Sequence, residues 1–286
     1  MNESRMQFSE PVVVACSDVG ETRWGFHQFP ALTRLPDRRY LLMYANAADA
    51  SETHGSDAPA FVSQDGRTWE PFSGEPKPVR PHYSITAADN GEYLACPASS
   101  YFDVLGTDAN RTDDRETVTK SRLPEPVATS FVYGNLYSYR CSQLNEDVRD
   151  DLGNLSAVRY SPVTGAWARE TIKYDMSDRL AWRREDGSLL PRPFFERSAT
   201  RYRGQLLYPD YRVRFALPDG RISPKGCTWL MASSDNGHSF QRRGLVAVDP
   251  SGHDLHGEPT LEVASDDSLV CVVRRTDHVQ KPMAIT

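Results

Sequence analysis

A carboxylate and a guanidinium flank one strand–turn–strand segment near the C-terminus. Glu258 lies at the start of this segment, and Arg274 follows the apolar run Leu269–Val273. A turn at Asp266-Asp267 would fold the two strands together, and antiparallel pairing would bring Glu258 and Arg274 side by side. A planar guanidinium can bind a carboxylate through two parallel hydrogen bonds. The segment could therefore bind an acidic ligand; the alternative is an ordinary ion pair that only supports the hairpin.

The same strand–turn–strand pattern occurs four times. Each copy starts with polar residues, runs as a strand, turns at Asp, Asn, Arg or Gly, and returns as an apolar strand. The four copies are Phe26–Asn46, Val79–Ser99, Phe194–Val213 and Leu255–Thr276. Repeats of roughly 50–70 residues with several strands each are typical of a β-propeller or a related array. We therefore expect one all-β domain over residues 1–286, with the polar segments Asp103–Pro126 and Ser142–Asn154 as long loops on one face or partly disordered insertions.

Polar side chains recur at the open ends of these hairpins, opposite the turns. In a propeller the innermost strands line the central axis, so side chains at one end of them converge on a shallow funnel. The candidates at these positions are Gln28, His82, Arg197, Tyr211, Glu258 and Arg274. Together they predict a ligand-binding funnel, although each residue alone could equally be exposed or support its hairpin.

Composition argues against several partners. Of the 286 residues, 39% are apolar and 25% are charged, as in soluble globular proteins. The net charge of −6 argues against nucleic acid, which needs a basic surface. No apolar run approaches a membrane span, and Met1–Glu10 lacks the apolar core of a signal peptide. We expect no nucleic-acid or membrane partner, and a cytoplasmic location.

The cysteines and histidines predict neither a metal site nor a cofactor. Five cysteines are odd in number and widely spaced, and Cys16, Cys96 and Cys271 lie in or beside apolar strand-like runs. Buried, reduced thiols are favoured over a disulfide framework. His253 and His256 have no third clustered ligand, so we expect no zinc.

Two short segments resemble the Asp-box of sialidase-type β-propellers. Ser233–Phe240 has the form S-x-D-x-G-x-[S/T]-aromatic, Ser63–Trp69 is a looser copy, and Ser161–Trp167 is a degenerate copy without Asp. We expect Asp235 to cap backbone N–H groups in a tight turn and Phe240 to fill the gap between sheets. The alternative is a plain type I turn. The resemblance implies a six-bladed propeller of four-stranded antiparallel blades.

The hairpin that carries Glu258 and Arg274 resembles the sialidase hairpin in which a Glu acts through a Tyr partner and an Arg binds the substrate carboxylate. The resemblance implies a catalytic role for Glu258 and a substrate-binding role for Arg274. Asp57, in the loop before the first Asp-box, stands where the family places its catalytic acid/base, with His54 as a neighbour or substitute. Asp57 could also be only a turn former.

The first-blade strand departs from the sialidase pattern. The family carries Arg-Ile-Pro where this chain has Gln28-Phe29-Pro30, and an uncharged Gln28 cannot replace the first arginine of the carboxylate-binding triad. The resemblance therefore implies an acidic-sugar site with weak or absent sialidase activity. Arg197, His82 and Tyr211 complete the substrate-binding set that we predict.

Three functions are compatible with these residues. The first is a glycoside hydrolase of sialidase type, or a divergent relative, acting on an acidic sugar. The second is a non-catalytic propeller that binds glycans or proteins. The third is a polysaccharide lyase in which His and Tyr residues of the funnel abstract a proton beside a uronate carboxylate held by Arg274. At about 50 residues per blade the chain supplies about five blades, so we expect a C-terminally incomplete propeller.

Overall fold

The computed structural model of the chain is an all-β protein, with 51% of residues in strands and 4% in helix. The residues that the structure describes are 10–22, 26–47, 57–78, 83–97, 124–131, 135–177, 179–184, 189–190, 195, 198–211, 217, 219–222, 226–249, 251, 255–276 and 284–285. The strands enclose a nearly closed, barrel-like arrangement.

Nineteen strands are present in these residues. They are β1 (Gln28–Arg34), β2 (Tyr40–Ala45), β3 (Ala60–Ser63), β4 (Glu70–Pro71), β5 (Tyr83–Ala87), β6 (Tyr93–Pro97), β7 (Ala128–Phe131), β8 (Asn135–Arg140), β9 (Asn154–Ser161), β10 (Ala166–Tyr174), β11 (Leu180–Arg184), β12 (Leu189–Leu190), β13 (Thr200–Tyr202), β14 (Gln205–Asp210), β15 (Thr228–Ser233), β16 (Ser239–Ala247), β17 (Leu255–Val263), β18 (Leu269–Thr276) and β19 (Ala284–Ile285).

The predicted loop at Ser142–Asn154 is wrong, because it contains the helix α1 (Glu146–Gly153). Acidic residues in its first turn suit the positive end of the helix dipole, and Leu152 anchors the helix in the main core. A Cβ at Gly153 would lie 2.8 Å from the Tyr174 carbonyl oxygen, so glycine allows the helix end to approach β10. Within the described residues, no helical segment has the length and apolarity that a membrane span needs.

All four predicted hairpins are present as antiparallel pairs: β1–β2, β5–β6, β13–β14 and β17–β18. Their turns contain residues with positive φ, at Arg38 (72°), Gly91 (81°), Arg203 (48°) and Asp267 (65°). Gly and Asp adopt this conformation readily, which explains why the turns at Gly91 and Asp267 could be located from the sequence.

Within the described residues the strands form four sheets, with orders β1-β2-β3-β4, β12-β11-β8-β7, β17-β18-β19 and β13-β14-β15-β16-β10-β9-β6-β5. The eight-stranded sheet consists of two four-stranded antiparallel units. They are joined by a short parallel pairing of β10 with β16, at Lys173↔Ser239 and Tyr174↔Phe240. In the sequence, β7, β8 and α1 lie between β6 and β9. The unit formed by β5, β6, β9 and β10 therefore alternates along the chain with the sheet formed by β7, β8, β11 and β12, which the repeat did not predict.

The first strands of the repeated hairpins lie against one another. The Thr33 hydroxyl of β1 donates to the Ile85 carbonyl of β5 at 3.4 Å, and the Ser198 hydroxyl donates to the same carbonyl at 2.9 Å. The Thr200 hydroxyl of β13 donates to the Leu261 carbonyl of β17 at 2.5 Å. These bonds link β1 to β5, the segment before β13 to β5, and β13 to β17.

Three of the four hairpins also have their turns at the same end. Arg203 in the β13–β14 turn pairs with Asp267 in the β17–β18 turn, with 2.7 Å between Nη2 and Oδ2. Arg201, beside the first of these turns, pairs with Asp89 in the β5–β6 turn. Since the turns meet at one end, the open ends of these hairpins lie at the other, where the predicted site residues were expected.

Two Asp-containing turns have the predicted hydrogen bonds. The Asp65 carboxylate accepts from the backbone N–H groups of Arg67 (2.7 Å) and Thr68 (2.8 Å), and these bonds lower its pKa to about 2. The Asp235 carboxylate accepts from the Ser239 N–H at 2.9 Å. Burial opposes ionisation of Asp235, but the hydrogen bonds from Ser233 and Ser239 outweigh it and lower its pKa.

Phe240 fills the junction between sheets, as predicted. It is 1% exposed, and its ring packs 5.1 Å from Phe195 and 6.2 Å from Tyr174, measured between centroids. Beside this junction the buried Arg159 donates to Glu170, Glu92 and the Asn236 carbonyl. That network ties the Asp235 turn to β9 and β10.

The cysteines are free thiols, and the prediction that they are buried is only partly correct. Cys96, Cys141 and Cys227 are buried, and Cys271 is partly buried. Cys16 is exposed, because residues 10–18 form no strand and lie mostly on the surface. Burial raises the pKa of the Cys141 thiol to about 12.

Candidate functional site

Glu258 and Arg274 are in contact, as the hairpin pattern predicts. Glu258 Oε1 lies 2.5 Å from Arg274 Nη1, and the two side chains are 39% and 45% exposed. In the β17–β18 register Gly257 pairs with Arg274, and a bulge between Gly257 and Thr260 turns the Glu258 side chain toward the guanidinium. The pair is thus accessible to a solute and fixed by its own hairpin.

Gln28 begins β1, opposite Ala45 of β2. Its neighbours His27 and Phe29 both have positive φ, at 53° and 50°, and the register shifts between Gln28 and Ala31. The Gln28 amide oxygen is buried and has no hydrogen-bond partner within the described part of the chain.

The bulges of β1 and β17 share one unusual feature. In each, a non-glycine residue with positive φ stands directly before a proline: Phe29-Pro30 (50°) and Glu258-Pro259 (47°). Proline restricts its preceding residue to extended conformations, so this backbone is strained, by an amount of order 1–3 kcal/mol at each position. Such strain is concentrated at ligand-binding sites, where surrounding structure holds it in place.

An aromatic cluster lies beside Gln28. The His27 ring is 4.9 Å from the Tyr44 ring, and Tyr44 stacks on Phe61 at 6.2 Å. The Ser17 hydroxyl is 3.0 Å from His27 Nδ1. Burial raises the pKa of the Tyr44 phenol. Tyr44 is the next-to-last residue of β2, and Arg274 likewise lies near the end of β18. This equivalent position in the repeated hairpin is the sequence signal that identifies Tyr44.

Asp57 lies at the same end of the first sheet. Its neighbour Pro59 accepts a hydrogen bond at 3.3 Å from the backbone N–H of Tyr44. The Asp57 side chain is 77% exposed, and its Oδ1 lies 2.6 Å from Lys77 Nζ. Asp57 is therefore near Gln28 and Tyr44. Its ion-pair partner Lys77 could not be predicted, because no sequence pattern distinguishes Lys77 from other lysines.

Tyr211 is buried at the end of β14, beside an ionic cluster that sequence reasoning missed. Asp210 accepts hydrogen bonds from Arg179 and from the Tyr174 hydroxyl, the latter at 2.7 Å. Burial raises the pKa of Asp210, while Arg179 opposes this shift. Burial also raises the pKa of Tyr174 well above its usual range. The cluster ties β10 to β14. His82 and Arg197 lie outside the described residues.

A separate cleft of about 450 Å³ lies beside α1. Its walls carry Arg149, Asp150, Lys173 and Asp175 over a floor that includes Phe240. None of the predicted site residues that the structure describes lines it. Among the residues that the structure describes, no group of three or more His, Cys, Asp or Glu side chains could hold a metal ion.

No protein-family model and no curated protein matches this chain. Several solved structures resemble it. A protein of unknown function from Dyadobacter fermentans DSM 18053 is 14% identical with a TM-score of 0.51, and the match covers 89% of this chain and 64% of that one. An endo-arabinase from Bacteroides thetaiotaomicron VPI-5482 is 11% identical with a TM-score of 0.45, covering 96% and 78%. The Trypanosoma rangeli sialidase, solved with sialic acid, is 10% identical with a TM-score of 0.32, covering 87% and 43%.

The likeness to the Dyadobacter fermentans protein is evidence for the fold alone, because the sequence identity is only 14%. The chain spans 64% of the length of that protein. The overlays on the arabinase and the sialidase are too poor to carry an argument about this chain.

Proposed function

We propose that this chain binds an acidic sugar at the open ends of β1 and β17, and that it is a glycoside hydrolase of sialidase type or a divergent relative. The observation that carries the proposal is the Glu258–Arg274 contact, half exposed and held beside a strained bulge. A guanidinium in this position can exchange its contact with Glu258 for a bidentate contact with a ligand carboxylate. The fold is then a sialidase-like propeller, and the Asp65 and Asp235 turns are its Asp-boxes.

The remaining residues have distinct roles in this proposal. Glu258 is the catalytic carboxylate beside the sugar, and Asp57 supplies the acid or base from the loop before β3. Arg197, His82 and Tyr211 contact the substrate. Gln28 stands where the sialidase pattern has an arginine, so the carboxylate of a sialoside loses one charged contact. A sialoside is therefore cleaved slowly or not at all.

A non-catalytic sugar-binding propeller is the second candidate, and one observation favours it. Both proposed catalytic carboxylates are engaged with cations, Glu258 with Arg274 and Asp57 with Lys77. A glycosidase needs one carboxyl group that can donate a proton to the leaving group. If ligand binding does not release Asp57 from Lys77, the chain binds sugars without cleaving them.

The test combines binding and turnover on the full chain. Isothermal titration calorimetry with N-acetylneuraminic acid and D-galacturonic acid measures binding, and fluorogenic glycosides of both acids measure hydrolysis. Cleavage abolished by Glu258→Gln and by Asp57→Asn supports the hydrolase. Binding without cleavage supports the second candidate. The proposal fails if neither acid binds, or if cleavage survives both substitutions.

A further inference from the structure

The cleft beside α1 contains an arginine whose surroundings differ from those of the other enclosed arginines. Five arginines whose side chains the structure describes are buried or half-buried, and four of them have a side-chain partner. The partners are Asp37 for Arg39, the Gly220 carbonyl for Arg140, Glu92 and Glu170 for Arg159, and Asp210 for Arg179. The fifth, Arg149, is half-buried and lines the cleft, and its side chain forms no hydrogen bond or ion pair with another described residue.

A second cation lines the same cleft from a different element. Lys173 takes part in the short parallel pairing of β10 with β16, and its ammonium group has no carboxylate partner in the described part of the chain. An exposed lysine without a partner is common by itself, but Lys173 shares a concave site with the half-buried guanidinium of Arg149. Cations from α1 and from β10 therefore border one cleft of about 450 Å³ that is open to solutes.

The two carboxylates of the cleft do not pair with these cations. The Asp175 carboxylate accepts instead from the backbone N–H groups of Ser177, at 2.9 Å, and Arg242, at 3.5 Å. Asp150 directly follows Arg149 on α1, and side chains at consecutive helical positions do not face each other. Asp150 is also exposed, so solvent and salt screen its repulsion of a bound anion. Both cations are thus free to contact a ligand.

We infer that the cleft beside α1 binds a small molecule that carries a phosphate group, separately from the acidic-sugar site at Arg274. A phosphate monoester has a charge of about −1.5 to −2 at pH 7 and three acceptor oxygens, so one group can contact both Arg149 and Lys173. A carboxylate has a single charge and suits two cations less well. The Asn154 amide and the Ser177 hydroxyl also line the cleft and can donate further hydrogen bonds. Small-molecule sites have volumes of about 300–1,000 Å³, so the cleft has room for an organic phosphate.

D-Glucose 6-phosphate and D-glucose form a matched pair of probes, since they differ only in the phosphate group. Isothermal titration calorimetry on the full chain should detect binding of glucose 6-phosphate and no binding of glucose at the same millimolar concentration. Arg149→Met should weaken glucose 6-phosphate binding by about 10- to 150-fold, the range for loss of one charged hydrogen bond, and Lys173→Met should also weaken it. Arg67→Met, at an exposed arginine in the β3–β4 turn, is the matched control and should leave the affinity unchanged.

Two further variants separate ligand binding from a structural role of the helix. Asp150→Asn removes an exposed negative charge from the cleft and should strengthen glucose 6-phosphate binding, roughly two- to fivefold. Arg149→Lys keeps the positive charge and should recover part of the affinity that Arg149→Met loses. Damage to the fold would weaken binding in every variant and would explain neither result.

The inference is overturned if glucose 6-phosphate does not bind at millimolar concentration, or if glucose binds equally well. It is also overturned if Arg149→Met and Lys173→Met leave the affinity unchanged, or if Asp150→Asn weakens binding. The proposed function can fail separately, because Arg274→Ala should not alter glucose 6-phosphate binding and Arg149→Met should not alter D-galacturonic acid binding at Arg274.

Discussion

Removal of Arg274 should separate stability from ligand binding. In the free protein the Glu258–Arg274 pair is exposed by 39% and 45%, and ion pairs with that much solvent contribute about 0–1 kcal/mol. Arg274→Ala should therefore lower Tm by no more than about 4 °C. A charged hydrogen bond to a ligand is worth about 1.5–3 kcal/mol, so affinity for D-galacturonic acid should fall by about 10- to 150-fold.

An ion pair between the turn of the same hairpin and the β13–β14 turn offers a matched control for this substitution. Arg203 pairs with Asp267, with side chains exposed by 69% and 58%. Arg203→Ala should lower Tm by a similarly small amount and leave sugar affinity unchanged. Differential scanning fluorimetry and isothermal titration calorimetry on both variants are sufficient. The reasoning is refuted if Arg274→Ala lowers Tm by more than about 10 °C with unchanged affinity, or if Arg203→Ala weakens binding equally.

Three further substitutions test other parts of the structure. Gln28→Arg should increase sialoside cleavage above that of the wild type, measured with a fluorogenic sialoside; unchanged or lower turnover contradicts the proposed role of position 28. Phe240→Ala should lower the free energy of unfolding by about 3–5 kcal/mol in urea titrations, against less than about 0.5 kcal/mol for the exposed Val163→Ala. Asp65 has a pKa of about 2 in the folded protein against 3.8 in the unfolded chain, so its stabilising effect is present above pH 3.8 and lost as the pH falls through 2. The Tm difference between wild type and Asp65→Asn should therefore be present at about pH 5 and vanish near pH 2, and a difference independent of pH would contradict this account.

The hairpins could be predicted from the sequence because their signals are local. Pairs such as Asn90-Gly91 and Asp266-Asp267 favour turns, and the apolar strands that follow them must return to the core. The hairpin pattern places Glu258 and Arg274 at the same end of two paired strands, although Arg274 pairs with Gly257 and the bulge completes the contact with Glu258. That part of the candidate site was therefore accessible to sequence reasoning.

Helix α1 was missed because its sequence is almost wholly polar; among the side chains that the structure describes, Leu152 packs it into the main core. The cluster of Tyr174, Arg179 and Asp210 was missed for a different reason. Its members come from separate parts of the chain and meet only because the β10–β16 pairing places two four-stranded units side by side. Local sequence patterns carry no information about such contacts.

The strained bulges could not be predicted because proline normally places its preceding residue in an extended conformation. Positive φ at Phe29 and Glu258 runs against that preference and is imposed by the surrounding sheets. Local propensity fails most often at functional or strained positions. The two bulges therefore add to the support that the Glu258–Arg274 contact gives for a site at these strand ends.

The most direct test is the crystal structure of the full chain soaked with D-galacturonic acid. We expect a single bound sugar whose carboxylate contacts Arg274, with the ring near Glu258. A sugar bound instead in the cleft beside α1, or no sugar at saturating concentration, would contradict it.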